Sequence, residues 1–219
     1  MIKEKFFWID CLRVLASFGV VLMHIAAPLL SQYGEVSSSD WWTSNFYCNF
    51  MRFRIPIFLM ITGALILPKT YNSINEYLGN RVVRIVYPFL FWSVIYLVSQ
   101  TFLLFLHGHI STIEDVLKFT ILEMKTGAAF HFWYIYLLLG LYLFFPILIG
   151  WLKKCAKSEI KYFICIWAVT IIASWPLINI VFPNIELRYF SGFIGFPVLG
   201  YFLMKNTYIN ANRVKIISI

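Results

Sequence analysis

Residues 12–30 read LRVLASFGVVLMHIAAPLL, and this stretch decides the fold. It contains one charged side chain, Arg13, and one histidine, His24. A helix rising 1.5 Å per residue needs ~20 apolar residues to cross the ~30 Å hydrocarbon core of a bilayer. Five more stretches of this kind follow, at Phe46–Leu67, Ile85–Leu106, Phe130–Leu152, Tyr162–Phe182 and Tyr189–Met204. The last is short and carries Gly192, Gly195, Pro197 and Gly200, so it is expected to be a broken helix whose backbone is satisfied by its neighbours.

Composition agrees with a membrane solvent. Of the 219 residues, 61% are apolar and 13% charged, with 22 Phe. Ordinary globular chains carry ~45–50% and ~25%. A soluble protein of this size has no interior large enough for so much apolar surface. The expected fold is therefore all-α: a polytopic bundle of about six spans in one membrane-embedded domain, with no soluble domain. The four cysteines (Cys11, Cys48, Cys155, Cys165) show no metal-like or CxxC spacing and read as packing residues, so no metal site is expected.

The formal net charge of +8 would suit nucleic acid in a soluble chain, but here position matters more than sum. Thirteen of the 18 basic residues lie at the chain ends and in alternate connections, including Lys3, Lys5, Lys69, Arg81, Arg84, Lys153, Lys154 and Lys205. The opposite connections hold three, Lys118, Lys125 and Arg188; the other two, Arg52 and Arg54, lie inside the second span. By the positive-inside rule both termini are cytoplasmic, and the protein is expected as a multi-pass protein of the inner membrane. The basic balance reports orientation, and no nucleic-acid partner is implied. Lys3 and Lys5 before an apolar run, with Ala26-Ala27 after it, imitate a signal peptide. Asp10, Arg13 and His24, together with five later spans, argue against cleavage.

Ionisable groups in lipid cost ~2.5–3.5 kcal/mol each on insertion scales, which makes them functional candidates. On a 100° helical wheel Asp10, Arg13, Ser17 and His24 fall within about 60° of one another, a polar stripe on an apolar helix. Asp10 and Arg13 read equally as an anchoring pair at the helix end, whereas His24 lies about 18 Å into the bilayer. Arg54, counted from Phe46, comes to a similar depth, and Pro56 behind it opens the helix. Arg52, about 200° away on the wheel, points elsewhere and snorkels to the headgroups.

Arg81 and Arg84, three apart at the cytoplasmic end of the third span, either bind phosphate through their guanidinium forks or serve as positive-inside anchors. His131 opens the fourth span from the outside and lines the outer cavity or sits in the aromatic belt with Trp133. A basic pair facing the cytoplasm and a His/Arg level about 15–20 Å away suit a phosphorylated donor entering from inside.

These residues fall into motifs. Trp8-Ile9-Asp10-Cys11-Leu12-Arg13 with His24 resembles the first-helix signature of the acyltransferase-3 family of integral-membrane acyltransferases. Residues 54–63, RIPIFLMITG, are similar to its second-helix motif, with Thr62 where Ser is usual. Residues 81–88, RVVRIVYP, match its Arg-x-x-Arg stretch and following Pro. Residues 131–136 and 141–146 look like the fourth-helix pattern, and residues 193–201 resemble a later Gly-rich helix.

The resemblance implies O-acyl transfer, commonly of acetyl, from cytoplasmic acyl-CoA to a hydroxyl of an envelope glycan or lipid-linked sugar. Acyl-CoA is then a co-substrate, and no bound cofactor is implied; oligomeric state is left open. His24 would be the catalytic histidine, organised by Asp10 and Arg13. Arg81 and Arg84 would hold the donor's phosphates, and Arg54, His131 and Ser17 would line the pocket. Family members carry about ten membrane helices of ~20 residues each. This chain offers six and stops after Arg213-Val214-Lys215-Ile216, so it is expected to be shortened at its C-terminus, with its activity alone left open. Two rival classes stand beside this reading: a small proton-coupled transporter using the His24/Arg54 level as a relay, and a non-catalytic fragment packed on another membrane protein.

Overall fold

The computed structural model describes residues 6–126, 132–174 and 192–217, and among these there are helices and no strand. In chain order they are α1 (Phe7–Leu30), α2 (Ser38–Phe50), a 3₁₀ turn (Met51–Phe53), α3 (Arg54–Ile66), α4 (Ile74–Arg81), α5 (Val83–Leu106), α6 (Ile113–Thr126), α7 (Trp133–Lys154), α8 (Lys157–Ala173) and α9 (Gly195–Ile217). Four stretches are long and apolar enough to cross a membrane: α1, α2–α3 together, α4–α5 together, and α7. The fold is an all-helical membrane bundle. The fifth and sixth expected spans fall on α8 and α9, and residues 175–191 between them lie outside the described residues.

Two connections expected as loops are helical because capping side chains take up their first N–H groups. Ser73 Oγ accepts from Glu76 N at 3.1 Å while Glu76 Oε2 accepts from Asn72 N at 2.9 Å, starting α4. Thr112 Oγ1 accepts from Asp115 N at 3.2 Å and Asp115 Oδ2 accepts from Thr112 N at 3.1 Å, starting α6. The second span begins earlier than Phe46, because Ser37 caps α2 in the same way.

The chain forms two compact units. In the first (residues 1–69 and 152–219), α1 packs on α2 and α3 through Ile9, Ala16, Gly19 and Ala26. Ser44 Oγ, buried, donates to Ala26 O at 2.7 Å, and Trp41 Nε1 donates to Leu30 O at 3.1 Å. The tightest seam is α3 against α9. A Cβ on Gly63 would collide with the Pro197 backbone, and one on Gly200 with the Met60 carbonyl. A Cβ on Gly195 would enter the Trp167 ring of α8, whose Nε1 donates to Gly192 O at 3.1 Å.

In the expected sixth span the chain turns at residues 192–194, while Gly195, Pro197 and Gly200 do not interrupt the helix that follows. The helix is continuous from Gly195, Pro197 sits in its first turn where no ladder donor is missed, and two of the glycines are contact points. In the second unit (residues 70–151), α5 and α7 meet through aromatic edges: Phe132 with Phe89 and Tyr96, and Phe89 with Tyr136.

Gly200→Val should therefore destabilise the purified protein in detergent by ~1–3 kcal/mol or more, read as a lowered Tm. Gly79→Ala, where a Cβ meets open space on α4, should hold or raise it. Equal Tm values for both variants would remove the seam from the account.

Candidate functional site

The first unit carries five of the site residues, Asp10, Arg13, Ser17, His24 and Arg54. Asp10 lies in the first turn of α1, where the helix dipole favours an anion, and its Oδ1 accepts from Arg13 Nη1 at 2.9 Å. Both side chains are exposed, as is Ser17, while His24 is half-buried. The polar stripe is not the face that α1 packs on α2 and α3: His24 lies about 140° round the wheel from Gly19.

Pro28 adds a feature that sequence reasoning passed over. Standing four residues after His24, it removes the N–H that would serve the His24 carbonyl in the helix ladder. The i, i+4 spacing was the signal that could have found it.

Arg54 is 8% exposed, and its Nη1 donates to Met51 O at 2.8 Å. The acceptor comes from the 3₁₀ turn, whose origin is local: Pro56 has no N–H for the Arg52 carbonyl, so the regular ladder cannot run through residues 51–53. The break therefore lies before Arg54, and Pro56 sits harmlessly in the first turn of α3. Arg52 is exposed, as its opposite wheel position requires.

The shared depth expected of His24 and Arg54 is not found at the backbone. Arg54 stands opposite Gly19, whose Cβ position is 3.7 Å from Arg54 Cβ. That is five residues, about 7.5 Å, before His24. The hydrogen bond to Met51 draws the guanidinium back toward the His24 level by up to about 4.5 Å along the axis. The depth estimate assumed a span beginning at Phe46, and it could not supply the azimuth of either side chain.

The second unit holds the arginine pair. Arg81 ends α4 and Arg84 lies in the first turn of α5; Val82 between them keeps helical dihedrals of φ −67° and ψ −46°. Their environments differ, with Arg84 exposed and Arg81 half-buried. Arg81 Nε donates to Tyr71 Oη at 3.0 Å, which fixes the guanidinium plane and leaves both terminal nitrogens to face a ligand. Tyr71 packs edge-on against Tyr77 at 4.9 Å. Tyr77, one helical turn before Arg81, is 1% exposed, and its hydroxyl has no partner among the described residues. Tyr142 of α7 stands close to both. Neither tyrosine was singled out from sequence, because Tyr71 reaches Arg81 across a turn of ten residues with no helical period. His131 lies outside the described residues; its neighbour Phe132 is buried between Phe89 and Tyr96.

Among the described residues no three His, Cys, Asp or Glu side chains could together hold a metal ion. The four cysteines are free. Burial first, and then the charge of Glu159, push the Cys155 thiol up, which makes it a poor thiolate nucleophile.

A family model described as an acyltransferase domain, acyltransferase 3, matches residues 6–217, nearly the whole chain. No curated protein and no solved structure matches.

Tyr71→Phe removes the acceptor that orients Arg81 and should weaken binding of coenzyme A, a phosphate-bearing probe, about fivefold. Titration calorimetry on the detergent-solubilised chain would measure it, with circular dichroism as the check on folding. Unchanged affinity in this variant would place the phosphates away from Arg81.

Proposed function

Because the chain belongs to the acyltransferase-3 family, we propose that it moves an acyl group, typically acetyl, from cytoplasmic acyl-CoA to a hydroxyl of an envelope glycan or lipid-linked sugar. The chain is a membrane acyltransferase; donor, acceptor, inner-membrane location and multi-pass topology are the parts proposed here. The observation that carries the reading is the family match over residues 6–217. The cytoplasmic bias of the basic residues adds the direction from which an anionic donor arrives.

In this reading Arg81 and Arg84 bind the phosphates of coenzyme A. Tyr71 is a positioning residue. His24 in its neutral form takes the proton of the acceptor hydroxyl as the hydroxyl oxygen attacks the thioester carbonyl. The tetrahedral intermediate collapses with cleavage of the carbon–sulfur bond. The same proton passes from His24 to the departing sulfur, so the products are an ester and free coenzyme A. The Asp10–Arg13 pair holds the entry turn of α1, and Ser17 continues the polar path along that stripe toward His24. Arg54, tied to Met51, contributes a fixed positive charge that favours the anionic intermediate over the neutral thioester, and His131 lines the outer end of the pocket.

Purified full-length chain in lipid nanodiscs should release thiol from acetyl-CoA in a manner stimulated by glycan acceptors. His24→Ala should lower that rate ~10²–10⁴-fold. Arg81→Ala combined with Arg84→Ala should instead raise the KM for acetyl-CoA. Normal turnover in the His24 variant would remove its role, and thiol release indifferent to any hydroxyl acceptor would sink O-acyl transfer.

A further inference from the structure

Within the first unit, α1, α3 and α9 leave a crevice that the proposed chemistry does not use. Its inner chamber, about 300 Å³, is lined by Trp8, Leu12, Met60, Ala64, Leu203 and Met204. This is the lower end of the ~300–1,000 Å³ typical of ligand sites. Ala64 and Met204 also border a second space, of about 570 Å³, with Phe6, Pro68, Lys69, Tyr201 and Lys205. The two spaces thus share a wall, apolar on one side and edged by two lysines on the other.

The lysines stand where the charge distribution puts the cytoplasmic boundary. Lys69 follows the end of α3, and Phe6 precedes the start of α1. Lys205, midway along α9, borders the same space as Pro68 and Lys69. Lys205 is exposed, and its ammonium is steadied at 3.2 Å from the Tyr201 hydroxyl and 5.4 Å from the centre of that ring. One of its three N–H groups is so engaged, and two remain to meet an anion.

We propose that this crevice is a binding site for an anionic phospholipid of the cytoplasmic leaflet. One acyl chain occupies the chamber between Trp8 and Leu203, and the headgroup phosphate meets Lys69 and Lys205. The argument is complementarity along a single axis. A ligand here must be apolar for the depth of the chamber, anionic at its end, and present at the inner boundary. The cytoplasmic leaflet supplies such molecules. A zwitterionic lipid satisfies the chamber, but its own ammonium offsets the attraction of the lysines. Neither Arg81 nor Arg84 lines either space.

Native mass spectrometry of the full chain, with phosphatidylglycerol and phosphatidylcholine offered in equal amounts, tests this. Phosphatidylglycerol should be retained preferentially and should raise the Tm. Lys69→Gln with Lys205→Gln should cut its retention roughly thirtyfold, since each lysine near a membrane surface contributes ~1 kcal/mol toward anionic lipid. Leu203→Trp, which fills the chamber from an exposed position, should reduce retention of both lipids while helix content holds. Equal retention of the two lipids by the unmodified chain would overturn the proposal. So would retention that neither variant alters, or a rise in Tm obtained equally with inorganic phosphate alone.

Discussion

The contact on which the first unit depends is backbone against backbone: Gly63 on Pro197, and Gly200 on the Met60 carbonyl. Lipid tails are as apolar as leucine, so burial alone gives membrane helices little reason to associate. Close approach supplies dispersion and dipolar contact that longer side chains would prevent. Once α3 and α9 are joined, α8 docks through Trp167 on Gly195 and Gly192, and α1 closes on the other side through Gly19 and Ala26. Lys69, after the end of α3, and Lys205, midway along α9, border one space beside that seam.

Against this frame the polar stripe of α1 has a defined meaning. The helix uses its small residues to pack and turns Asp10, Arg13, Ser17 and His24 to another side. His24 is half-buried on that other side. The arginines divide in a similar way. Arg54 is buried and tied to a local carbonyl, whereas Arg81 is held by a tyrosine through one nitrogen and presents the others.

Much of this was legible in the sequence because lipid is a uniform solvent. The four long apolar stretches and the opposite environments of Arg52 and Arg54 follow from apolar length and wheel angle. The short helices α4 and α6 were not, since polar helices between spans carry no apolar run; their capping residues Ser73 and Thr112 were the available sign. Gly195, Pro197 and Gly200 read as breaks because a lone helix with them is weak, and only the presence of α3 turns absence of a side chain into a contact. The relation of His24 to Arg54 failed for a similar reason. Depth is a one-chain quantity, but facing depends on how two helices are rotated about their axes.

Four prolines share a placement that bears on how these helices yield. Pro28, Pro56, Pro88 and Pro146 each come four residues after a polar side chain: His24, Arg52, Arg84 and Tyr142. Each removes one ladder hydrogen bond at that level. The spans are therefore most compliant beside their polar groups and stiffest in their purely apolar stretches. Any bending of α1 and α5 is therefore easiest beside His24 and Arg84.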